Sequence, residues 1–153
     1  MPEENVELLR RMVETYNSRD AESFVAICDP RIEVHSVFSA VAGTVYHGRD
    51  GIRRMFGDLE DAWGDELRIE PEAYFDLGEH AVIFYVLHGR GKQSGADVAL
   101  PAAGVSRFRD GLFVYWKTYL HREEALRDLG VSEDELEPCL PERIETLNDP
   151  LLE

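Results

Sequence analysis

A chain of 153 residues with 44% hydrophobic and 31% charged residues has the composition of one ordinary globular domain, able to bury roughly two-thirds of its unfolded surface around a single core. Its formal net charge of −15 repels phosphate backbones and anionic lipid surfaces, which argues against nucleic acid and membrane as partners. No apolar run approaches the ~20 residues of a membrane span, and Met1-Pro2-Glu3-Glu4-Asn5 has neither the basic nor the apolar region of a signal peptide, so a cytoplasmic protein with Cys28 and Cys139 reduced is expected.

Residues 4–18 place Val6, Leu9, Met12, Val13 and Tyr16 at helical spacing and predict an amphipathic helix. Asp20 is a cap for a shorter helix over 21–28 carrying Phe24, Val25 and Ile27, with Asp29-Pro30 as its stop. Alternation of Ile32, Val34, Ser36 and Phe38 with Glu33, His35 and Val37 predicts a strand over 31–38, followed by a small-residue loop over 39–43. Asp50 caps a third helix over 51–63, whose stripe is Ile52, Met55, Phe56, Leu59 and Trp63 and whose stop is Gly64-Asp65.

From there the period changes. Residues 67–77 are strand-like, Gly78-Glu79 is a turn, and residues 80–90 form a β-rich run with apolar side chains on both faces, as a central strand has. Gly89, Gly91, Ser94 and Gly95 loosen its end. A strand over 96–109, interrupted at Pro101, leads into Asp110-Gly111, the signature of a two-residue hairpin turn in which both central residues take positive φ. Counting outward from that turn pairs Arg107 with Val114, Ser106 with Tyr115 and Val105 with Trp116, and sorts the last strand onto two faces. Leu112, Val114, Trp116, Thr118 and Leu120 make one; Phe113, Tyr115, Lys117, Tyr119 and His121 make the other. The second mixes aromatic bodies with polar tips, as a pocket wall does; a sheet with one packed and one half-exposed face gives the same alternation. Residues 122–130 predict a short helix with Gly130 as its C-cap, and Ser132-x-x-Glu135 is a capping box. Residues 132–153 read as an acidic C-terminal extension beyond a domain of residues 1–131.

Three helices ahead of hairpin-linked strands make an α+β domain in which a curved antiparallel sheet wraps around the N-terminal helices and encloses a conical cavity. The order and spacing of Tyr46-His47-Gly48-Arg49-Asp50-Gly51-Ile52, Gly89-Arg90-Gly91-Lys92-x-Ser94-Gly95, Arg109-Asp110-Gly111 and Tyr119-Leu120-His121-Arg122-Glu123-Glu124-Ala125-Leu126 resemble the SnoaL-like branch of the NTF2-like (cystatin-like α+β cone) superfamily over about residues 3–131. The resemblance implies the cone fold. It leaves function open among polyketide cyclases, ketosteroid isomerase, epoxide hydrolases, dehydratases and non-catalytic proteins. In SnoaL-type cyclases an aspartate at the end of the final strand is the acid/base of an aldol closure; the matching position here is His121.

Proton abstraction beside a carbonyl needs one base with a pKa near the working pH and one donor for the developing enolate oxygen. His121, with an ordinary pKa near ~6.5, suits the first role and Tyr119 the second. Trp63, Tyr85, His88, Phe113, Tyr115 and His35 are the candidate ligand contacts. Each has a plainer reading as well: strand-end histidines commonly bond to backbone, and buried tyrosines commonly give their hydroxyl to a nearby partner. Five histidines without H-x-H or H-E-x-x-H spacing predict no metal site, and the glycines around Gly89 lack the strand-then-helix context of a dinucleotide fingerprint, so no cofactor is expected. The expectation is a protein that binds a small, mostly apolar organic molecule in a cone cavity. Acid/base isomerase, cyclase or dehydratase chemistry is one form of it, and a non-catalytic ligand-binding or dimeric accessory module the alternative. A homodimer is expected through the outer sheet face, where Val114, Trp116 and Thr118 would otherwise form an exposed apolar patch.

Overall fold

The computed structural model describes residues 2–36, 45–63, 66–90, 95–136 and 138–139. Helix α1 (Pro2–Asn17) buries Val6, Leu9, Met12 and Val13, each worth on the order of 1.5–3 kcal/mol of transfer free energy when fully covered. At its end Asn17 exchanges two hydrogen bonds with the Ile69 backbone, at 2.8 and 2.9 Å, and so ties the helix to the sheet. Helix α2 (Ala21–Ala26) starts where Asp20 accepts from the Ser23 amide at 3.1 Å. It stops two residues short of the predicted end, and Asp29-Pro30 lies inside strand β1 (Cys28–His35) instead of terminating a helix. The chain turns there into the sheet: the Phe113 amide donates to the Ile27 carbonyl at 2.8 Å and the Arg49 guanidinium to that of Cys28, so both carbonyls past the helix end are satisfied.

Strand β2 (Val45–His47) runs directly into helix α3 (Gly48–Trp63), which begins at Gly48 with φ +73°, three residues ahead of the predicted start. Asp50 therefore sits in the first turn rather than at the cap, where it pairs with Arg53 at 2.8 Å. Strands β3 (Arg68–Asp76), β4 (His80–Arg90), β5 (Asp97–Arg109) and β6 (Leu112–Tyr119), helix α4 (Arg122–Leu129), a 3₁₀ turn (Glu133–Glu135) and strand β7 (Pro138–Cys139) complete the described chain. The loop expected at 39–43, the end of the first strand beyond 36, the Gly64-Asp65 stop, residues 91–94 of the bend and the chain beyond 139 lie outside the described residues.

The seven described strands form one sheet in the order β2-β1-β6-β5-β4-β3-β7. All neighbours are antiparallel except β1 and β6, which run parallel because the chain crosses the whole sheet between them. Helices α1, α2 and α3 cover one face and enclose the main core; Ala125 of α4 covers a smaller cluster of Phe75, Val82, Ala103 and Val105 on the other. Leu136 joins this second cluster, and β7 pairs with β3, so the start of the predicted extension folds back onto the domain.

Two prolines sit inside strands. Pro101 does not interrupt β5, which continues past it opposite Val86. Pro71, opposite Tyr85 at a bulge in β3, brings no N–H to the ladder; the Tyr85 carbonyl accepts from Arg122 at 3.0 Å, and that of Ala102 accepts from the same guanidinium at 3.2 Å.

The hairpin turn forms as predicted, with φ +55° at Asp110 and +75° at Gly111, but its register does not. Phe108 pairs with Phe113 and Arg107 with Tyr115, which leaves Val114 as an extra residue in a β-bulge. Beyond the bulge the parity inverts. Trp116 and Thr118 turn inward with Phe113, while Tyr115, Lys117 and Tyr119 face the opposite side, so the two-face sorting made from the turn is reversed from Tyr115 onward. Trp116 and Thr118 are only 7% and 6% exposed within the single chain, which removes the apolar patch on which the dimer expectation rested.

Candidate ligand-binding site

The parity change puts Trp116 over Gly104, its neighbour on β5. A β-carbon at Gly104 would lie 1.9 Å from Cη2 of the indole, so only glycine lets the ring lie flat against the strand. Around that ring the inner face closes a cavity of about 40 Å³. Phe113, Trp116 and Thr118 come from β6, Tyr85 and Leu87 from β4, Ile69 from β3 and Val34 from β1, with Ser36 just beyond it. The helices supply Met12 and Tyr16 from α1, Phe24 from α2, and Met55 and Leu59 from α3. Aromatic rings form much of the wall: Tyr85 and Phe113 stand 6.3 and 6.1 Å from Trp116, and Phe24 stands 6.3 Å from Phe113.

Four hydroxyls interrupt this apolar lining, those of Tyr16, Tyr85, Ser36 and Thr118. The Trp116 indole N–H donates to Thr118 Oγ1 at 2.8 Å. Burial pushes the Tyr85 phenol up to about 12, with Thr118 partly opposing the rise. Burial also holds the Tyr16 phenol above its ordinary range, and the neighbouring Tyr85 adds to the effect. Both phenols are therefore neutral over the whole physiological range. None of the described lining residues is an acid, a lysine, an arginine or a histidine.

Of the residues singled out from the sequence, Tyr85 and Phe113 line this cavity. Trp63 packs on the edge of the main core beside Gly89, where a β-carbon would lie 3.1 Å from its ring, and is not part of the lining. The other five lie elsewhere. His35 and Tyr115 lie on the far face of the sheet with tilted rings 5.5 Å apart, Glu33 Oε2 at 2.5 Å from His35 and Arg107 over the Tyr115 ring. His88 contacts Glu70 at 2.6 Å on that face near one end. Tyr119 donates to Asp128 Oδ2 at 2.8 Å, and His121 is exposed at the N-cap of α4 with no side-chain capping bond. The two residues assigned to acid/base work thus share a surface hollow with Lys117, Glu124, Arg127 and Asp128, on the opposite side of β6 from the enclosed cavity apart from Thr118 at its edge.

The reading from the turn missed Trp116 and Thr118 because the bulge inverted their parity. The small run Ala102-Ala103-Gly104 is the signal that points to them, since a strand stripped of side-chain volume needs a large ring on its neighbour. Tyr16, Met12, Met55 and Leu59 were legible as helix stripes, and they line the cavity because it is a gap in the same core those stripes build.

The family model of the SnoaL-like domain matches residues 9–116. A comparison with curated proteins finds no match. Among solved structures the chain is similar to an NTF2-like protein of unknown function from Burkholderia pseudomallei K96243, with 21% identity, 81% of this chain and 95% of that one covered, and a TM-score of 0.68. It is similar to a hypothetical protein of ketosteroid isomerase-like fold from Catenulispora acidiphila, solved in complex with trimethylamine, at 16% identity, 84% and 95% coverage and a TM-score of 0.68. A candidate polyketide cyclase from Xanthomonas campestris pv. campestris matches at 16% identity, 82% and 96% coverage and a TM-score of 0.67. At these identities the three likenesses establish the fold, and together with the family match over residues 9–116 they make this chain a member of the SnoaL-like family with an NTF2-like α+β cone.

Proposed function

We propose that the protein binds a small, mostly apolar organic molecule in the cavity beneath Trp116, and that it does so without acid/base chemistry by His121. The observation that carries this reading is the lining: aromatic and aliphatic walls, four neutral hydroxyls and, among the described residues, no group that titrates near neutral pH. The stretch between Ser36 and Val45 contains no titratable side chain either. An isomerase, cyclase or dehydratase of the usual kind needs a base within hydrogen-bond reach of its substrate, and His121 and Tyr119 lie on the other side of β6. The trimethylamine complex of the Catenulispora relative supports small-molecule occupancy of this fold.

The test is equilibrium binding of small hydrocarbons, read by thermal shift and by tryptophan fluorescence, in the wild-type chain and in Leu59→Trp, which fills the cavity. A ligand at 100 times its Kd stabilises the native state by about 2.7 kcal/mol. The expected result is a rise in Tm for the wild type that Leu59→Trp abolishes. Equal shifts in both proteins, or none in either, would sink the reading.

A further inference from the structure

Helix α4 lies on the far face of the sheet, beyond residue 116 where the family match ends, yet its first side chain holds the strands that build the cavity. The Arg122 guanidinium donates to the Tyr85 carbonyl of β4 at 3.0 Å and to the Ala102 carbonyl of β5 at 3.2 Å, and it meets Glu72 of β3 at 2.6 Å. It also lies over the Phe84 ring, 4.8 Å from the centroid. One side chain thus fastens three strands. The ladders lack donors at this level: Pro71 opposite Tyr85 and Pro101 opposite Val86 bring no N–H, and Glu72 is the extra residue of the β3 bulge.

The same level of the sheet carries part of the cavity wall. Tyr85 and Leu87 line the cavity from β4 and Ile69 from β3, on the strands that Arg122 joins, and the Tyr85 ring stands 6.3 Å from Trp116. Resting on the binding reading above, we propose that Arg122 is a positioning residue of the ligand site, through which the docking of α4 on the far face fixes Tyr85 in the cavity wall and sets how tightly the ligand is held. An apolar cavity holds its ligand by contact on every side, and a gap of about 0.5–1 Å forfeits roughly a quarter to a half of each contact. A small retreat of Tyr85 therefore weakens binding without unfolding the chain.

Arginine suits the task because its planar fork reaches two carbonyls and a carboxylate together while its face lies on an aromatic ring. The side chain is only 28% exposed, so water competes weakly for these bonds. Its helix is anchored in turn: Ala125 and Leu126 are buried, and Leu129 and Leu136 pack against the far cluster.

Cyclopentane serves as the probe, because a hydrocarbon makes no hydrogen bond and reports the fit of the wall alone. It is compact, as a cavity of about 40 Å³ requires, and Met12 and Met55 in the lining can change rotamer to admit it. Its Kd is measured on the full chain by NMR of the methionine methyl groups, for wild type, Arg122→Ala, Glu72→Gln and Arg127→Ala, well below the temperature at which any of them unfolds. The expected result is that Arg122→Ala weakens binding about tenfold and shifts the Met12 or Met55 methyl resonance of the empty cavity. Glu72→Gln, at an exposed position, loosens the guanidinium and weakens binding about threefold. Arg127→Ala, exposed on the same helix and outside these contacts, leaves Kd within about twofold. A purely structural role for Arg122 would lower Tm while Kd and the methyl shifts of the folded protein stay as in the wild type, and that result overturns the proposal alone. If Arg122→Ala does not fold, an unchanged Kd and unchanged methyl shifts in Glu72→Gln overturn it equally. Failure of the wild type to bind cyclopentane overturns the binding reading and this proposal with it.

Discussion

Replacing Gly104 by alanine adds one methyl group to a strand that prefers alanine, so backbone propensity alone predicts a gain of about 0.5–1 kcal/mol. The geometry decides against it. The new β-carbon would lie 1.9, 2.3 and 2.6 Å from Cη2, Cζ2 and Cζ3 of Trp116, distances at which the ring must leave its place. The indole cannot retreat freely, because Tyr85 and Phe113 stand about 6 Å from it on the inner face and its N–H is held by Thr118. Overpacking of this kind costs about 1–3 kcal/mol, and losing the buried indole hydrogen bond adds about 1–3 more. We expect a net loss of about 3 kcal/mol, or roughly 6–12 °C in Tm for a domain of this size. Urea unfolding followed by circular dichroism measures it, and the double mutant Gly104→Ala with Trp116→Leu should recover more than 1 kcal/mol as a coupling energy. A Gly104→Ala protein within 0.5 kcal/mol of wild type would refute the account of how the inner face is packed.

Three further outcomes follow from the same structure. Tyr85 and Tyr46 are pushed up to about 12 from the ordinary 10, Tyr46 by burial and by its 2.6 Å bond to Asp58; the unfolded chain therefore releases these protons first, and stability should hold below pH 10 and fall as pH rises toward 12. A urea midpoint that stays level from pH 9 to pH 11.5 would contradict this. His121→Ala, at an exposed cap with no side-chain bond, should leave stability within about 0.5 kcal/mol and ligand affinity unchanged by titration calorimetry; a tenfold loss of affinity would return His121 to the site. Arg122 donates to the carbonyls of Tyr85 and Ala102, reaches Glu72 at 2.6 Å and covers the Phe84 ring, so Arg122→Ala should cost about 2 kcal/mol in urea unfolding. Arg122→Lys should recover little of that, because one ammonium cannot span acceptors that a planar fork reaches together.

Periodicity made α1, α3 and the central strand β4 legible, since each carries its apolar residues at a spacing that no other local structure satisfies. Asp110-Gly111 announced the turn because so few residue pairs accept positive φ at both centres. What local pattern did not contain was competition between elements. Helix α2 gives way to β1 where Phe113 and Arg49, far along the chain, bind the carbonyls of Ile27 and Cys28. Pro101 read as an interruption of its strand, yet β5 runs on past it and one arginine outside the sheet donates to the neighbouring Ala102 carbonyl. Tyr85 lines the cavity because a tyrosine on a strand covered on both faces has few places to go.

The bulge at Val114 shapes the cavity more than any single lining residue does. Valine is as good a strand former as its neighbours, so nothing in the run from Leu112 to Tyr119 marks where the alternation slips. The information lies across the sheet, in Gly104, which the bulged register sets opposite Thr118 and beneath the ring of Trp116. With the straight register, Tyr115, Lys117 and Tyr119 would line the cone, and a cationic amine would sit in its interior. With the bulge, the interior receives Trp116 and Thr118, the charged and titratable side chains go to the far face, and the cavity becomes a neutral compartment. One inserted residue thereby decides whether Tyr115, Lys117 and Tyr119 or Trp116 and Thr118 meet the helices across the core.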